Sequence, residues 1–269
     1  MTQVSKTAVV DRRAQLGREV VVGPGCVVGA GAVIGDGCEL KANVFISEGV
    51  VLGRNNRLFA NCVLGEEPQS LGCVEPDTRL IIGEGNVFRE NVTLNRGTPH
   101  GGGQTVIGSN NYFMIGAHIG HDCEVEDNTV ISNYVQIGGH GKIEGNAWLS
   151  AFTGTHQFVT IGRFTFTGGH CGCVHDIPPF TRAAGIYPCE IRGINTTGLE
   201  RAGFAQERIE ALKEAYRYLY RRRNGKTMAQ AVAELAGQNE LDENVRYLVE
   251  FLQRAARHRL GRYRELSRR

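Results

Sequence analysis

Val21-Val22-Gly23-Pro24-Gly25-Cys26-Val27-Val28-Gly29-Ala30-Gly31-Ala32-Val33-Ile34-Gly35-Asp36-Gly37-Cys38-Glu39-Leu40 decides the architecture. Val22, Val28, Ile34 and Leu40 stand six residues apart, with Gly23, Gly29 and Gly35 directly after the first three. Four residues after those same stops come Cys26, Ala32 and Cys38, all small. Followed outward, the phase holds from Val4 to Leu64, with Val, Ile or Leu at every sixth position. It resumes at Ile82, Phe88 and Leu94. After a change of phase it runs through Ile107, Phe113, Ile119, Val125, Ile131, Ile137, Ile143, Leu149, Thr155 and Ile161. A period of six is neither helical nor the alternation of an ordinary strand. It describes a very short strand and a corner, repeated. Three such units close a coil of about 18 residues, and stacked coils bury their apolar stops only against each other.

The expected fold is therefore a triangular all-β solenoid, a parallel β-helix over residues 1–190, followed by a C-terminal helical appendage over 191–269. Glycine, at 36 residues, suits the corners, and an aromatic content of 7% suits a core of small aliphatic side chains. The coils are expected to end near Pro178-Pro179. From about Gly198 the apolar spacing becomes helical. Ile209, Leu212, Tyr216 and Leu219 form one stripe, closed near Asn224-Gly225. Thr227 can cap a second helix through Val232 and Leu235, and a third carries Val245, Leu248, Leu252 and Ala255. Two interruptions, Glu66–Arg79 and Arg96–Gln104, read as external loops. Gly101-Gly102-Gly103 lacks the ending of a phosphate-binding P-loop and reads as a flexible excursion.

A net charge of +2 gives no support to a nucleic-acid footprint. No run of 18 apolar residues and no apolar signal core at the N-terminus points to a cytoplasmic protein without a membrane span. The eight cysteines lack paired ligand spacing and read as reduced packing residues. Arginines gather on the helical part: Arg217, Arg221, Arg222, Arg223, Arg254, Arg257, Arg259, Arg262 and Arg264. They form either a solvated face or a dock for an acidic partner.

His118, His121, His140 and His156 fall in neighbouring coils, separated by close to one or two periods, and none occupies an inward stop. They are expected to stand in a column on one outer face, at a site between subunits. Two chemistries fit histidines so placed. One is general-base catalysis, for which an imidazole pKa near neutrality is suited. The other is zinc ligation, as in trimeric β-helix hydratases; the His118-Ile119-Gly120-His121 spacing does not favour it. A non-catalytic solenoid scaffold is the third reading.

Gly116-Ala117-His118-Ile119-Gly120-His121-Asp122-Cys123 resembles the active-site segment of the UDP-N-acetylglucosamine acyltransferases. So do Asn95-Arg96-Gly97-Thr98, His156-Gln157-Phe158, Asp176-Ile177-Pro178-Pro179 and Gly198-Leu199-Glu200-Arg201-Ala202-Gly203-Phe204, in that order along nearly the whole chain. The resemblance implies a left-handed coil and a homotrimer. It implies transfer of a 3-hydroxyacyl group from acyl carrier protein to the 3-position of UDP-N-acetylglucosamine, the first step of lipid A synthesis. No covalent intermediate, cofactor or metal is implied. His121 is then the general base, Asp122 its orienting partner, and the Gly139 N–H an oxyanion donor. His118, His140, His156 and Gln157 line the substrate site. Asn195 and Arg201 contact the nucleotide, and Gly169 sets acyl length beside His170.

One departure concerns the acceptor. The loop after Gly65-Glu66 commonly reads Pro-Gln-Asp-Leu-Lys in this family, whereas here Pro68-Gln69-Ser70-Leu71-Gly72 lacks both charges. With Ser70 and Gly72 at sugar-facing positions, N-acylation of a 3-amino analogue is an alternative. The related N-acyltransferase of the same pathway fits less well, since its added N-terminal domain would precede hexads that here begin by Val4.

Overall fold

The computed structural model describes residues 1–71, 78–258 and 261–268. Each hexad forms a two-residue strand and a corner, as at Val21–Val22, Val27–Val28 and Val33–Ile34. One coil is 18 residues: Val4 pairs with Val22, and Val22 with Leu40, in parallel register. The spacing repeats because a peptide bonds to the coil stacked on it, Gln3 N–H to Val20 C=O and Val21 N–H to Cys38 C=O, at 2.8 and 2.9 Å. Among the described residues the strands form three sheets of eleven, nine and eight, which are the sides of a triangular prism.

The aliphatic stops point inward and are buried from Val22 onward, whereas Val4, in the first coil, is 48% exposed. Phe88 and Phe113 occupy stops paired in neighbouring coils of the first sheet and stack at 4.8 Å inside the prism. The seven described cysteines are buried and unpaired, as the packing reading expected; Cys73 lies outside the described residues. Spacing missed one neighbour, Cys189, whose Sγ lies 3.6 Å from that of Cys173.

Corners fall in the left-handed region, which asparagine tolerates better than most L-residues. Asn43, Asn55, Asn61, Asn91, Asn110 and Asn128 take φ between 54° and 62° there. In the upper coils the same position holds bulkier residues: Tyr134, His140, Phe152, Phe158, Phe164 and His170. Their rings stack from coil to coil, Tyr134 on Phe152 at 5.5 Å and Phe152 on His170 at 4.7 Å. Stacking offsets part of the backbone cost.

The coils end just beyond Pro178-Pro179. Thr181–Ala184 continues the first sheet, and Glu190–Ile194 returns antiparallel beside it, across the boundary expected at residue 190. Among the described residues four α-helices follow: α1 Thr196–Arg201, α2 Gln206–Tyr220, α3 Met228–Ala236 and α4 Glu243–Ala255. α1 escaped the apolar spacing because it is one turn and a half long, and α2 stops four residues short of Asn224. Thr227 caps α3 in a reciprocal box with Gln230, as its position suggested. The helices share a second core of Leu199, Ile209, Leu212, Leu219, Val232 and Leu248, which Phe180 joins. Tyr247 fastens α4 to the prism through a 2.8 Å bond to Glu144, and the Arg163 guanidinium lies 3.7 Å from its ring centroid.

The arginines do not make one basic face. Arg217 pairs with Glu210 at 3.0 Å, Arg262 is buried, and Arg264 reaches Glu124 at 3.1 Å. Arg221, Arg222 and Arg257 remain exposed, and Arg259 lies outside the described residues.

Candidate active site

At the corner between the second and third sheets the sequence places His121 and Asp122 in one coil, Gly139 and His140 in the next, and Gln157 and Phe158 in the one above. Each position is 18 residues from its counterpart. The vertical column is therefore Asp122–His140–Phe158, with His121 beneath Gly139 in the neighbouring row. His121 and His140 meet edge to face at 5.1 Å, and His140 lies flat on Phe158 at 4.4 Å. The 19-residue spacing of these histidines puts them on adjacent rows, not in one.

His121 stands outside the prism core, as its spacing suggested, yet it is only 6% exposed. Its Nδ1 lies 2.7 Å from Asp122 Oδ2, so Nδ1 carries the proton that this carboxylate accepts and Nε2 is the nitrogen left to meet a substrate. Asp122 also accepts from the Thr98 N–H and from Thr98 Oγ1, both at 2.7 Å, while its own N–H donates to Thr105 Oγ1 at 2.8 Å. Burial alone would raise the Asp122 pKa. The bonds from His121 and Thr98 outweigh it and hold the carboxyl below its ordinary value, hence ionised.

The glycine-rich excursion supplies this support. Pro99–Gly101 makes a turn of 3-10 helix capped by Thr98, and a Cβ on Gly101 would fall 2.1 Å from the Asp122 carboxyl carbon. The segment is a fitted cover on Asp122 rather than a flexible loop. The sequence alone gives Thr98 no role and does not single out Thr105. An Asp beside a base, with a threonine one coil below it, is the only signal that could have found them.

Gly139 faces the other side of the His121 ring. A Cβ there would lie 2.6 Å from both Cε1 and Nε2, so this position tolerates no side chain while the ring stays in place. The Gly139 N–H has no acceptor among the described residues. His118 stands on the adjoining strand with Nδ1 2.8 Å from Thr93 Oγ1; burial first, then the nearby His121, lowers its pKa and keeps it neutral. His156 and Gln157 are exposed one coil above Gly139, the His156 Nδ1–H donating to the Gln157 carbonyl at 3.1 Å.

The remaining positions lie apart from His121. Gly169 is exposed, and a Cβ on it would meet only the Ala151 carbonyl oxygen, at 3.6 Å. Ser70 is half-buried, its N–H bonded to the Pro68 carbonyl at 2.8 Å; Gly72 lies outside the described residues. Asn195 is spent on structure: it caps α1 by accepting from the Gly198 N–H at 3.2 Å and donates to the Phe164 carbonyl at 2.9 Å. Arg201 ends α1 and lines a cavity of about 640 Å³ with Asn195, Trp148, Phe166 and Arg182. Asn128, Asn146 and Phe164, the corner between the third and first sheets, form its edge. His121 and Arg201 of one chain therefore stand on opposite sides of the third sheet.

His121, Asp122 and His140 offer ligand atoms within 4.8 Å of one another, the one such group among the described residues. They fit zinc poorly. Both Asp122 oxygens already accept strong hydrogen bonds, and His140 Nε2 is 3.6 Å from Asp122 Oδ2. A metal would have to displace the Thr98 and His121 protons that hold this carboxylate. What the arrangement provides is a base with a fixed tautomer beside a free backbone N–H.

A model of the UDP-N-acetylglucosamine O-acyltransferase domain 2 matches residues 176–260, and one of the bacterial transferase hexapeptide matches 13–48 and 104–139. An acyl-[acyl-carrier-protein]–UDP-N-acetylglucosamine O-acyltransferase from Thiobacillus denitrificans is 46% identical over 96% of this chain and 98% of its own. Its counterpart from Stenotrophomonas maltophilia is 45% identical over 95% and 96%. Among solved structures, the UDP-N-acetylglucosamine acyltransferase of Bacteroides fragilis superposes with a TM-score of 0.89 at 33% identity, covering 93% of this chain and 97% of its own. That of Moraxella catarrhalis gives 0.87 at 34%, covering 92% and 95%. The prism is accordingly a left-handed parallel β-helix.

Proposed function

Because the chain belongs to the UDP-N-acetylglucosamine O-acyltransferase family, we propose that the His121 corner carries out the family's reaction by direct transfer. The enzyme moves an acyl group from acyl carrier protein to UDP-N-acetylglucosamine, an O-acylation of lipid A synthesis. The observation that carries the mechanism is the fixed orientation of His121, with Nδ1 spent on Asp122 and Nε2 open beside Gly139.

Nε2 takes the proton of the sugar 3-hydroxyl as its oxygen attacks the carbonyl carbon of the 3-hydroxyacyl thioester. The charge that forms on the carbonyl oxygen is met by the Gly139 N–H. Collapse breaks the carbon–sulfur bond, the His121 imidazolium returns its proton to the departing thiolate, and ester and free carrier thiol leave. Asp122 stays ionised and stabilises the imidazolium without taking its proton. No side chain forms a bond to the acyl group. The buried cysteines suit this, since burial pushes the Cys123 thiol up to about 12, away from the nucleophilic thiolate.

His118, His140, His156 and Gln157 line the path of the acyl group and sugar, and Gly169 leaves the far end open to a long chain. Arg201 suits the diphosphate, since a guanidinium pairs two phosphate oxygens at once. Asn195 acts there by holding α1 and hence Arg201. With Arg201 and His121 on opposite sides of the third sheet, a complete site needs two chains. A closed trimer then provides three equivalent sites. No helix among the described residues is long and apolar enough to cross a membrane, which fits cytoplasmic action on carrier-bound substrate.

Purified protein tests this with a series of 3-hydroxyacyl carrier proteins, UDP-N-acetylglucosamine and its 3-amino analogue being offered in parallel. The expected product is the O-acyl sugar nucleotide. A preference for the amine would assign the neutral Ser70 loop to the other acceptor, and transfer to neither would refute the reaction.

A further inference from the structure

The excursion that begins at Arg96 leaves the prism and returns to it through a narrow neck. A Cβ on Gly97 would fall 2.2 Å from the Gln104 nitrogen, so the two sides of the neck touch backbone to backbone. Thr98 and Thr105, next in sequence to these two residues, both bond Asp122. The Asp122 backbone takes a φ of 59°, which costs an L-residue energy, and the bond from its N–H to Thr105 helps to hold it there.

Thr98 is 5% exposed, and its polar atoms are all engaged at this neck. Its N–H donates to Asp122 Oδ1 and its hydroxyl to Oδ2, each at 2.7 Å. An ionised carboxylate has no proton to give, so the hydroxyl hydrogen points at Asp122. The hydroxyl oxygen accepts in turn from the Gly101 N–H at 3.0 Å, and the Thr98 carbonyl from the Gly103 N–H at 2.9 Å. The hydroxyl is thereby fixed in both its roles. Oδ2 is also the oxygen that takes the His121 Nδ1 proton, so Thr98 and His121 share one acceptor.

We infer that Thr98 is a positioning residue of the reaction, its hydroxyl setting through Asp122 the orientation and basicity of His121. This deepens the proposal that His121 is the base and rests on it. The direction of the effect follows from charge. A donor on Oδ2 draws carboxylate charge away from the imidazole. Without that donor more of the charge faces His121, and its imidazolium gives up a proton less readily. Among the described residues, the other titratable groups facing the pair are His140, His118 and the buried Cys123 thiol. His140 Nε2 lies 3.6 Å from Oδ2, and His118 stands on the adjoining strand. All three are the same in wild type and in a Thr98 variant, so a shift between the two enzymes reports the hydroxyl.

The test compares Thr98→Val and Thr98→Ser in the full-length enzyme by kcat, KM for UDP-N-acetylglucosamine and pH profile. Valine keeps the shape and the backbone N–H bond and removes only the hydroxyl. Thr98→Val is expected to lower kcat about 5- to 10-fold at neutral pH and to leave KM within about twofold. The acidic limb of its kcat profile should move upward by about 0.5 to 1 pH unit. Thr98→Ser keeps the hydroxyl without the methyl and is expected to restore both kcat and the limb. Should Thr98→Val fold poorly, Thr98→Ala removes the same hydroxyl and serves in its place. An unmoved limb in a variant that lacks the hydroxyl and melts as wild type would overturn the inference. So would a Thr98→Ser variant as impaired as Thr98→Val. His121→Ala, assayed in parallel, separates the two readings: a kcat that survives it refutes the base itself, and with it any role of Thr98.

Discussion

His121→Ala is expected to lower kcat by about three orders of magnitude, the usual contribution of a positioned general base. KM for the sugar nucleotide should change little, because the diphosphate contacts lie on Arg201. The fold should survive. Asp122 keeps its two bonds from Thr98, so no buried charge is stranded, and the ring fills an outer corner rather than the prism core. Steady-state kinetics and a melting curve separate these effects. A variant that keeps a tenth of wild-type kcat would mean that another group takes the proton. His140, whose ring meets that of His121 edge to face at 5.1 Å, is the candidate.

Gly139→Ala is the second large effect, and it isolates geometry from chemistry because it removes no functional group. Gly139 is absent from the left-handed glycines, so alanine meets no backbone penalty there. The whole effect comes from a methyl 2.6 Å from Cε1 and Nε2 of His121. The ring has nowhere to retreat, since Asp122 holds it at 2.7 Å and His140 lies against it with centroids 5.1 Å apart. A displacement approaching 1 Å costs about 100-fold in kcat, and crowding of the N–H that meets the oxyanion adds to it. Gly145→Ala, one hexad further along, meets its nearest atom at 3.4 Å and serves as the control expected to behave as wild type. Equal activity of the two variants would show that the Gly139 face of the ring is not where the reaction happens.

The prism was legible in the sequence because one constraint, an inward aliphatic residue, recurs at a fixed period and depends on no distant partner. The same period placed His121, His140 and His156 in adjacent coils. It could not show how they meet, since a step of 19 instead of 18 shifts a side chain to the next row. His140 is thereby stacked on Phe158 and not above His121. The fixed setting of Asp122 was illegible for a different reason. It depends on Thr98 and Gly101 in an excursion outside the hexads, and contacts made by an excursion have no period. Asn195 shows the limit of resemblance: its position was marked for the nucleotide, yet both ends of its amide are taken by Gly198 and Phe164. The C-terminal arginines looked alike in sequence, and only their partners, Glu124 for Arg264 and Glu265 for Arg262, distinguish them.

The central claim is that His121 of one chain works with Arg201 of another. Its most direct test is complementation between two inactive variants, His121→Ala and Arg201→Ala, co-refolded or co-expressed as mixed oligomers and assayed for acyl transfer. Random mixing in equal amounts leaves about a quarter of the sites with both residues intact. The mixture is predicted to recover a corresponding share of wild-type activity, far above either parent. A mixture as inactive as its parents, with subunit exchange verified, would place both residues in a site within one chain and contradict the account.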